Sequence, residues 1–571
     1  MEMATDAAKA KLGRREDRIG KLGDDVLGHI LSFLPSQEAA RAAALSTRWR
    51  DVFASVHTLS LEEPEIPIAD HNDDDNYYCY SPEYGRPPKA MDPDPPTRFT
   101  ATVTAAIVAR HRGPAAAPPL RALRVALNEY RSRDFRAVDQ CVSYAMKQAG
   151  PSLALELCLR RAPLQCNGRH RQPCFAEASV IGQNPQTSCE VSSRDAVALS
   201  PEKDRTVDND DGDDAVSSED EGGELPPAEY AVPRGLFACA VLRSLRIGPC
   251  RLSPPHTISL PSLQELLLSG VSDDGQQVQR LISACPRLAD LTLETCHTVT
   301  GLSLFDTSLR RLAVRCCHNL ASVSLDVSEL DAFEYRGAVP RNHLLETYIV
   351  SVSGRWFTAL PLLSTCTIDI CRQEPISSWE ELANLSWFVH NRFHCARHLH
   401  LRSARFGSGI GALPRQSAFL GLQHLELQGH LFHQDTATIA AVMYGILSHA
   451  PNLEVLSLIF ETQPPQLSVI GYPCNERVFL DAHHLEYNRH SVINAPSAMI
   501  TCLTYSVSEI NFVHYQGGEA QRTLAKFLLS NAPLLDRLFC QFAEGPLWIQ
   551  TQLMHEMKGW VMNNEANMMF R

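Results

Sequence analysis

Residues 288–330 read LADLTLETCHTVTGLSLFDTSLRRLAVRCCHNLASVSLDVSEL, and their apolar positions recur at two fixed phases. In the first phase Leu288, Leu309 and Leu330 stand 21 residues apart, and two of them lead the sets Leu288, Leu291, Leu293, Cys296 and Leu309, Leu312, Val314, Cys317. In the second, Val299, Leu302 and Leu304 return 21 residues later as Leu320, Val323 and Leu325. Apolar residues at every second place mark a strand with one buried face. Two such sets alternating at a constant period predict a coil with short strands on two faces, stacked on copies of itself. The cysteine closing each set is expected to pack inside the turn as a small apolar side chain, not to serve as a nucleophile.

The same spacing extends in both directions. Leu242, Leu245, Ile247 and Cys250 repeat it, as do Leu120, Leu123, Val125 and Asn128; Leu263, Leu266, Leu268, then Leu422, Leu425, Leu427 and Leu453, Leu456, Leu458 carry its first three places. These fit the leucine-rich-repeat pattern L-x-x-L-x-L-x-x-N/C. SACPRL at 283–288, SHAPNL at 448–453 and SNAPLL at 530–535 each follow an amphipathic helical stretch and lead into a strand. Helix, stop and strand therefore form one repeating unit. The fold class read from this is α/β, an irregular leucine-rich-repeat solenoid or horseshoe, preceded by a small three-helix module.

That module lies in residues 18–56, RIGKLGDDVLGHILSFLPSQEAARAAALSTRWRDVFASV. Leu22, Val26, Leu27, Ile30, Leu31 and Leu34 stack on one side of a helix with 3.6 residues per turn. Asp24 and Asp25 suit its positive end, and Pro35 marks its stop. After an alanine-rich second helix, Ser46 can cap a third, on which Trp49, Val52, Phe53 and Val56 recur at i, i+3, i+4 and i+7. Some 40 residues enclose little core, so part of this apolar surface is expected to meet another protein or the next domain.

L-x-D-D-V-L-x-x-I-L-S-F-L-P followed by A-R-x-x-x-L-S-x-R-W-R closely resembles the F-box of plant F-box proteins. The resemblance implies docking onto a Skp-type adaptor of a cullin ubiquitin ligase, with Leu22, Leu27, Ile30, Leu31, Leu34, Leu45 and Trp49 facing the adaptor or the supporting core. Gly23 departs from the family pattern, in which proline commonly follows the leucine. The repeats resemble the leucine-rich region of F-box proteins over about residues 100–540. The end of the chain, from Asn511 onward, looks like the C-terminal FBD-like segment of plant members. Trp548, Leu553 and Trp560 are expected there on a helix that covers the last coil, since solenoid ends need a cap.

The 571 residues carry a net charge of −13, and its placement says more than its sum. Residues 202–229 hold 12 acidic and 2 basic side chains, and residues 62–98 hold 10 and 3, so the remainder is about +4. No broad basic face suits nucleic acid. No apolar run is long enough to span a membrane, and the N-terminus lacks a secretory signal, so an intracellular location, nuclear or cytoplasmic, is expected. The 18 cysteines include no C-x-x-C pair and read as reduced thiols. Cys166, His170 and Cys174 read as a chance cluster; neither a metal ion nor a cofactor is expected. No phosphate-binding, metalloprotease or hydrolase motif is present, so no enzyme activity is expected.

The resulting partition is a flexible tail at 1–17, the F-box at 18–58, an acidic proline-rich linker at 59–99, first repeats at 100–167, an acidic disordered insertion at 168–229, the solenoid at 230–540 and a C-terminal capping helix at 541–571. Residues flanking the inward leucines point out from the sheet and would select a target protein. They include Arg246, Asp290, Glu294, Arg311, Arg315, His398, His400, Arg402, His424 and Glu426. The stretch RHLHLRSAR at 397–405 is the densest basic and histidine patch, suited to a phosphorylated or anionic ligand, with a solvated strand edge as the plainer reading. The expected role is substrate receptor of a Skp-cullin-F-box ligase. Alternatives are a hormone or metabolite co-receptor of the same architecture, or a scaffold whose F-box does not dock.

Overall fold

A computed structural model describes residues 19, 21–43, 46–63, 98–111, 118–161, 229–305, 308–325, 329–341, 344–347, 360, 362–371, 376, 378–408, 418–431, 436–461, 487–488, 491–496 and 499–571. The tail at 1–17, Leu45, most of the acidic linker, and the acidic insertion with Cys166, His170 and Cys174 lie outside them.

Three short helices open the chain: α1 (Asp24–Ser32), α2 (Ser36–Ala43) and α3 (Thr47–Ala54). α1 starts without a side-chain cap at Gly23, with Asp24 and Asp25 in its first turn against the helix dipole. It closes at Ser32 through a tight turn in which the Phe33 N–H donates to the Ile30 carbonyl, and Pro35 begins the next helix by accepting from the Ala39 N–H. Ser46 caps α3 as expected, its hydroxyl accepting from the Trp49 N–H at 3.2 Å. Leu27, Leu31, Ala39, Ala43, Val52, Phe53 and Val56 form a small core of their own, with Leu22 and Trp49 packed at its margin. Burial of Leu27 and Leu31 contributes about 1.5–3 kcal/mol each.

The rest is a stack of parallel strands. β1 (Thr58–Glu62), β2 (Leu120–Ala126), β3 (Ala149–Cys158), β4 (Leu242–Gly248), β5 (Glu265–Ser269), β6 (Asp290–Glu294), β8 (Arg311–Arg315), β10 (Ala332–Gly337), β12 (Thr365–Ile370), β13 (His398–Arg405), β14 (His424–His430), β15 (Val455–Phe460), β16 (Glu509–Tyr515), β17 (Arg537–Phe542) and β18 (Asn567–Phe570) form one sheet in that order. The second phase of the 21-residue repeat forms its own sheet, in which β9 (Ser322–Leu325) lies between β7 (Gly301–Leu304) and β11 (Leu345–Thr347). Each leucine of the first phase is buried, from Leu288 at 0 % to Leu309 at 3 % exposed, because alternate strand residues face one side. A long parallel sheet with no barrel closure is the architecture of a leucine-rich-repeat solenoid.

α4 (Arg98–Arg110), α5 (Phe135–Lys147), α6 (Gly275–Ser283) and α7 (Trp379–Phe393) are spaced along this stack, and one continuous hydrophobic core runs from Leu59 to Ala566. Cys250, Cys296 and Cys317 lie inside it, and burial pushes the Cys250 thiol well up, as suits packing thiols. Strands β5, β6 and β8 are each followed by a residue of left-handed backbone at the same register: Gly270, Thr295 and Cys316, with φ of 56°, 50° and 55°.

Two boundaries differ from expectation. Residues 59–62, assigned to the linker, form with Thr58 the edge strand: Leu59 and Leu61 are buried and pair in register with Leu123 and Val125. At the other end the helix Leu547–Trp560 buries Ile549, Leu553 and Met557 but leaves Trp548 45 % exposed. The chain then adds β18, so a strand and not the helix closes the sheet.

Candidate functional site

The apolar residues of α1 divide between two faces. Leu27 and Leu31 are interior, 0 % and 2 % exposed. Ile30 and Leu34 stand out at 42 % and 39 %, joined by Val26 at 49 %, Phe33 at 75 % and Ile19 at 58 %. Val26, Ile30, Phe33 and Leu34 are spaced i, i+4, i+7 and i+8, which places them on one stripe. Four exposed large apolar side chains along α1 and the turn that closes it make a patch of the kind that marks a docking surface. Of the residues assigned to docking, Leu27 and Leu31 therefore support the patch from beneath. Leu22 and Trp49 are half-buried against the same small core, while the exposed Phe33 was not singled out.

This module is seated firmly on the solenoid. Ala109 of α4 packs against its core, the Ser36 hydroxyl accepts from the Ser60 N–H at 3.0 Å, and Thr58 Oγ1 donates to the Ser32 carbonyl at 3.3 Å. Between Phe33 and Pro35 on one side and β1 to β4 on the other lies an open groove of about 470 Å³, with Ala122, Ala154 and Ser244 along it and Arg124, Glu156 and Arg246 beside them.

The exposed sheet face carries the second candidate surface. Register brings Asp290 beside Arg311, Glu294 beside Arg315, His398 beside His424, and His400 beside Glu426. Arg246 bonds Glu265 at 2.6 Å. Arg315 grips Glu334 with two hydrogen bonds of 2.6 and 2.8 Å. Farther along, Arg336 and Arg402 reach Asp369 at 3.4 and 3.5 Å, and Arg402 also bonds Glu461 at 2.8 Å. Glu461 in turn receives Gln428 at 3.3 Å and faces His430 at 3.5 Å. Within the 397–405 patch Arg402 is thus paired with both Asp369 and Glu461, which lowers its own pull on an anion.

One assigned contact residue is corrected. Glu294 is fully buried at the end of β6, its Oε2 accepting from the Ser269 hydroxyl of the neighbouring strand at 3.2 Å, so it cannot touch a target. Conversely Glu334, Arg336, Asp369 and Glu461 were missed. The strands of the first three use Phe333, Tyr335, Cys366 and Ile368 where the repeat pattern wants leucine, so only the period-2 alternation could have exposed them, while Glu461 lies just past the end of β15.

His398 and His424 stack with ring centroids 4.1 Å apart. Burial, then the neighbouring His424 and Arg397, hold the His398 imidazole below its ordinary pKa. The unfolded chain therefore binds the proton more readily than the folded one. This contribution to stability is complete above about pH 6.5 and is lost as the pH falls through the lowered folded value. Between about pH 7 and about pH 5 the wild type should lose more melting temperature than His398→Gln, a difference readable by calorimetry. Equal losses would remove His398 from the acid response.

Among the described residues no helix is long and apolar enough to cross a membrane. Residues 19–60 match the family model of the F-box domain, and residues 223–344 match that of the LRR repeats of FBD-associated F-box protein At5g56370. Among curated relatives, the Arabidopsis thaliana F-box/LRR-repeat protein At2g42720 is 54 % identical over 46 residues, 8 % of this chain and 10 % of that protein. The Arabidopsis thaliana FBD-associated F-box protein At4g10400 is 24 % identical over 306 residues, 53 % of this chain and 61 % of that one. Putative F-box/FBD/LRR-repeat protein At5g62970 of the same plant is 26 % identical over 309 residues, 52 % and 58 % of the respective chains. The chain thus spans less than two thirds of the length of each of these relatives. The matched regions coincide with the α1–α3 module and with the central strands of the stack, so the chain carries an F-box domain and repeats similar to those of FBD-associated F-box proteins.

Proposed function

We propose that this protein is the substrate-receptor subunit of a Skp-cullin-F-box ubiquitin ligase, holding the adaptor on the α1 patch and a target protein on the exposed sheet face. The observation that carries this reading is the exposed stripe Val26, Ile30, Phe33, Leu34 on a module matching the F-box domain. Such a stripe is costly to leave in water and supplies the apolar contact an adaptor needs. No chemistry is asked of the receptor itself: transfer belongs to the ligase, and this chain contributes proximity and orientation.

The face proposed for the target carries interleaved charges of both signs, many already paired within the sheet. That arrangement suits a protein surface of matching pattern, where charges set specificity and encounter rate more than raw affinity. Arg311, which is exposed, and the half-buried Arg246, Asp290, Arg315, His400, Arg402 and Glu426 are the proposed contacts.

The test is co-purification of the full chain with a Skp-type adaptor, beside Ile30→Asp with Leu34→Asp. Both positions are exposed, so the variant keeps its fold, whereas a charge at buried Leu27 would report folding and not docking. At about 1.5–3 kcal/mol per apolar side chain, the paired change should weaken the complex on the order of a hundredfold or more. A wild type that takes up no adaptor would sink the receptor reading. Equal binding by the variant would move the interface off α1.

A further inference from the structure

Three side chains apart from both surfaces converge at the C-terminal edge of the main sheet. Cys316 follows β8, His318 lies two residues on, and Cys371 follows β12. Between these strands runs β10, which ends in Gly337 and so presents no side chain at its last position. The two cysteines are tied to that strand end from opposite sides: the Cys316 N–H donates to the Arg336 carbonyl, and the Cys371 N–H to the Gly337 carbonyl at 2.9 Å. Their side chains form a cluster separate from the main core.

We propose that Cys316, His318 and Cys371 form a binding site for Zn²⁺. The two sulfurs and one imidazole nitrogen all lie within 4.8 Å of one another, and Cys371 Sγ is 3.8 Å from His318 Nε2. Zn–S and Zn–N bonds of about 2.3 and 2.05 Å at a tetrahedral angle would separate these two atoms by about 3.6 Å, so this edge of the tetrahedron is already nearly formed. Two thiols with an imidazole and no carboxylate among the donors select a borderline-soft cation over Mg²⁺ or Ca²⁺.

Burial completes the setting. Cys316 is 0 % and Cys371 8 % exposed, while His318 is only half-buried, which leaves one side open for a water or an incoming donor at the fourth position. Cys316 holds the left-handed turn position that Gly270 and Thr295 fill in the preceding coils; what is particular to this coil is that a thiol occupies it. His297, the repeat equivalent of His318, stacks on its ring at 6.4 Å and 14° and helps fix its orientation. On binding, both thiols give up their protons to solvent and the imidazole coordinates in its neutral form, so affinity rises with pH. The ion would clamp β8 to β12 across β10, beside the ion pairs of Arg315, Arg336 and Asp369.

The test uses the full chain, reduced and stripped with a chelator. It is titrated with Zn²⁺ against a chromophoric chelator, and with Co²⁺ for its spectrum. The expected result is one ion per chain and a thiolate-to-cobalt charge-transfer band. Cys371→Ser and His318→Ala should each lower Zn²⁺ affinity by more than about a hundredfold, beyond what loss of a merely supporting partner costs. Cys395→Ser, outside the cluster, should leave it unchanged. Circular dichroism of the stripped variants, matching that of stripped wild type, separates lost ligation from lost folding. Uptake without the thiolate band would assign the metal to oxygen or nitrogen donors, and uptake unchanged in both variants to donors elsewhere; either would overturn the proposal. So would absence of uptake by the reduced wild type.

Discussion

Arg522→Ala is expected to destabilise the C-terminal end of the solenoid by about 3–5 kcal/mol, the range for breaking a buried ion pair from one side. The Arg522 side chain is 4 % exposed and its partner Glu556 16 %. The guanidinium donates to both Glu556 oxygens at 2.9 and 2.8 Å, to the Asn488 carbonyl at 2.9 Å and to the Ser491 hydroxyl at 2.7 Å, while lying 5.3 Å over the Tyr487 ring. One residue thus joins the helix Glu519–Leu529, the helix Leu547–Trp560 and the segment around Tyr487. Its removal leaves the largely buried Glu556 carboxylate without its guanidinium partner. Urea denaturation followed by tryptophan fluorescence reads the change, because Trp548 packs edge-on against Tyr487. Arg522→Met combined with Glu556→Leu should recover most of the loss, since an apolar pair carries no desolvation cost. A cost under about 1 kcal/mol for the single change would mean the pair behaves as a surface ion pair.

Gly248→Ala is expected to be comparably damaging, at about 3 kcal/mol or more, through backbone crowding. Gly248 closes β4 with φ of 153°, and a Cβ there would enter the Ser269 carbonyl of β5, 2.7 Å from its carbon. Neither atom can step aside without parting two strands of the sheet. Gly429, with φ of 157°, meets the Ser403 backbone of β13 in the same way. Gly23→Ala is the control: a Cβ there meets nothing within 4 Å, so its melting temperature should stay close to wild type. An unchanged melt for Gly248→Ala would mean that β4 and β5 do not approach as closely as their register implies.

The leucines at 288, 291 and 293, their echoes at 309, 312 and 314, and the second phase from Val299 to Leu325 were legible from spacing alone. Side-chain alternation along a strand and 3.6-residue recurrence along a helix are local consequences of backbone geometry, and both leave a mark on contiguous residues. For the same reason the Ser46 cap and the F-box helices could be read directly. Strand β1 was hidden because five residues bordered by acids offer too short a window for periodicity to dominate composition.

Other features depended on contacts between distant segments. The sequence puts Leu22, Val26, Leu27, Ile30, Leu31 and Leu34 on one stripe in and around α1, yet only the packing of α2 and α3 makes Leu27 and Leu31 interior and leaves Ile30 and Leu34 outside. Arg402 pairs with Glu461, 59 residues away, and Cys371 meets His318 across 53, separations at which no periodic signal survives. A repeat pattern specifies which face of each coil turns inward, through burial that every coil achieves with its own residues and its nearest neighbours. Which charges, thiols and imidazoles then meet on the outer face and along the rim follows from how consecutive coils align, and that is a property of the assembled stack.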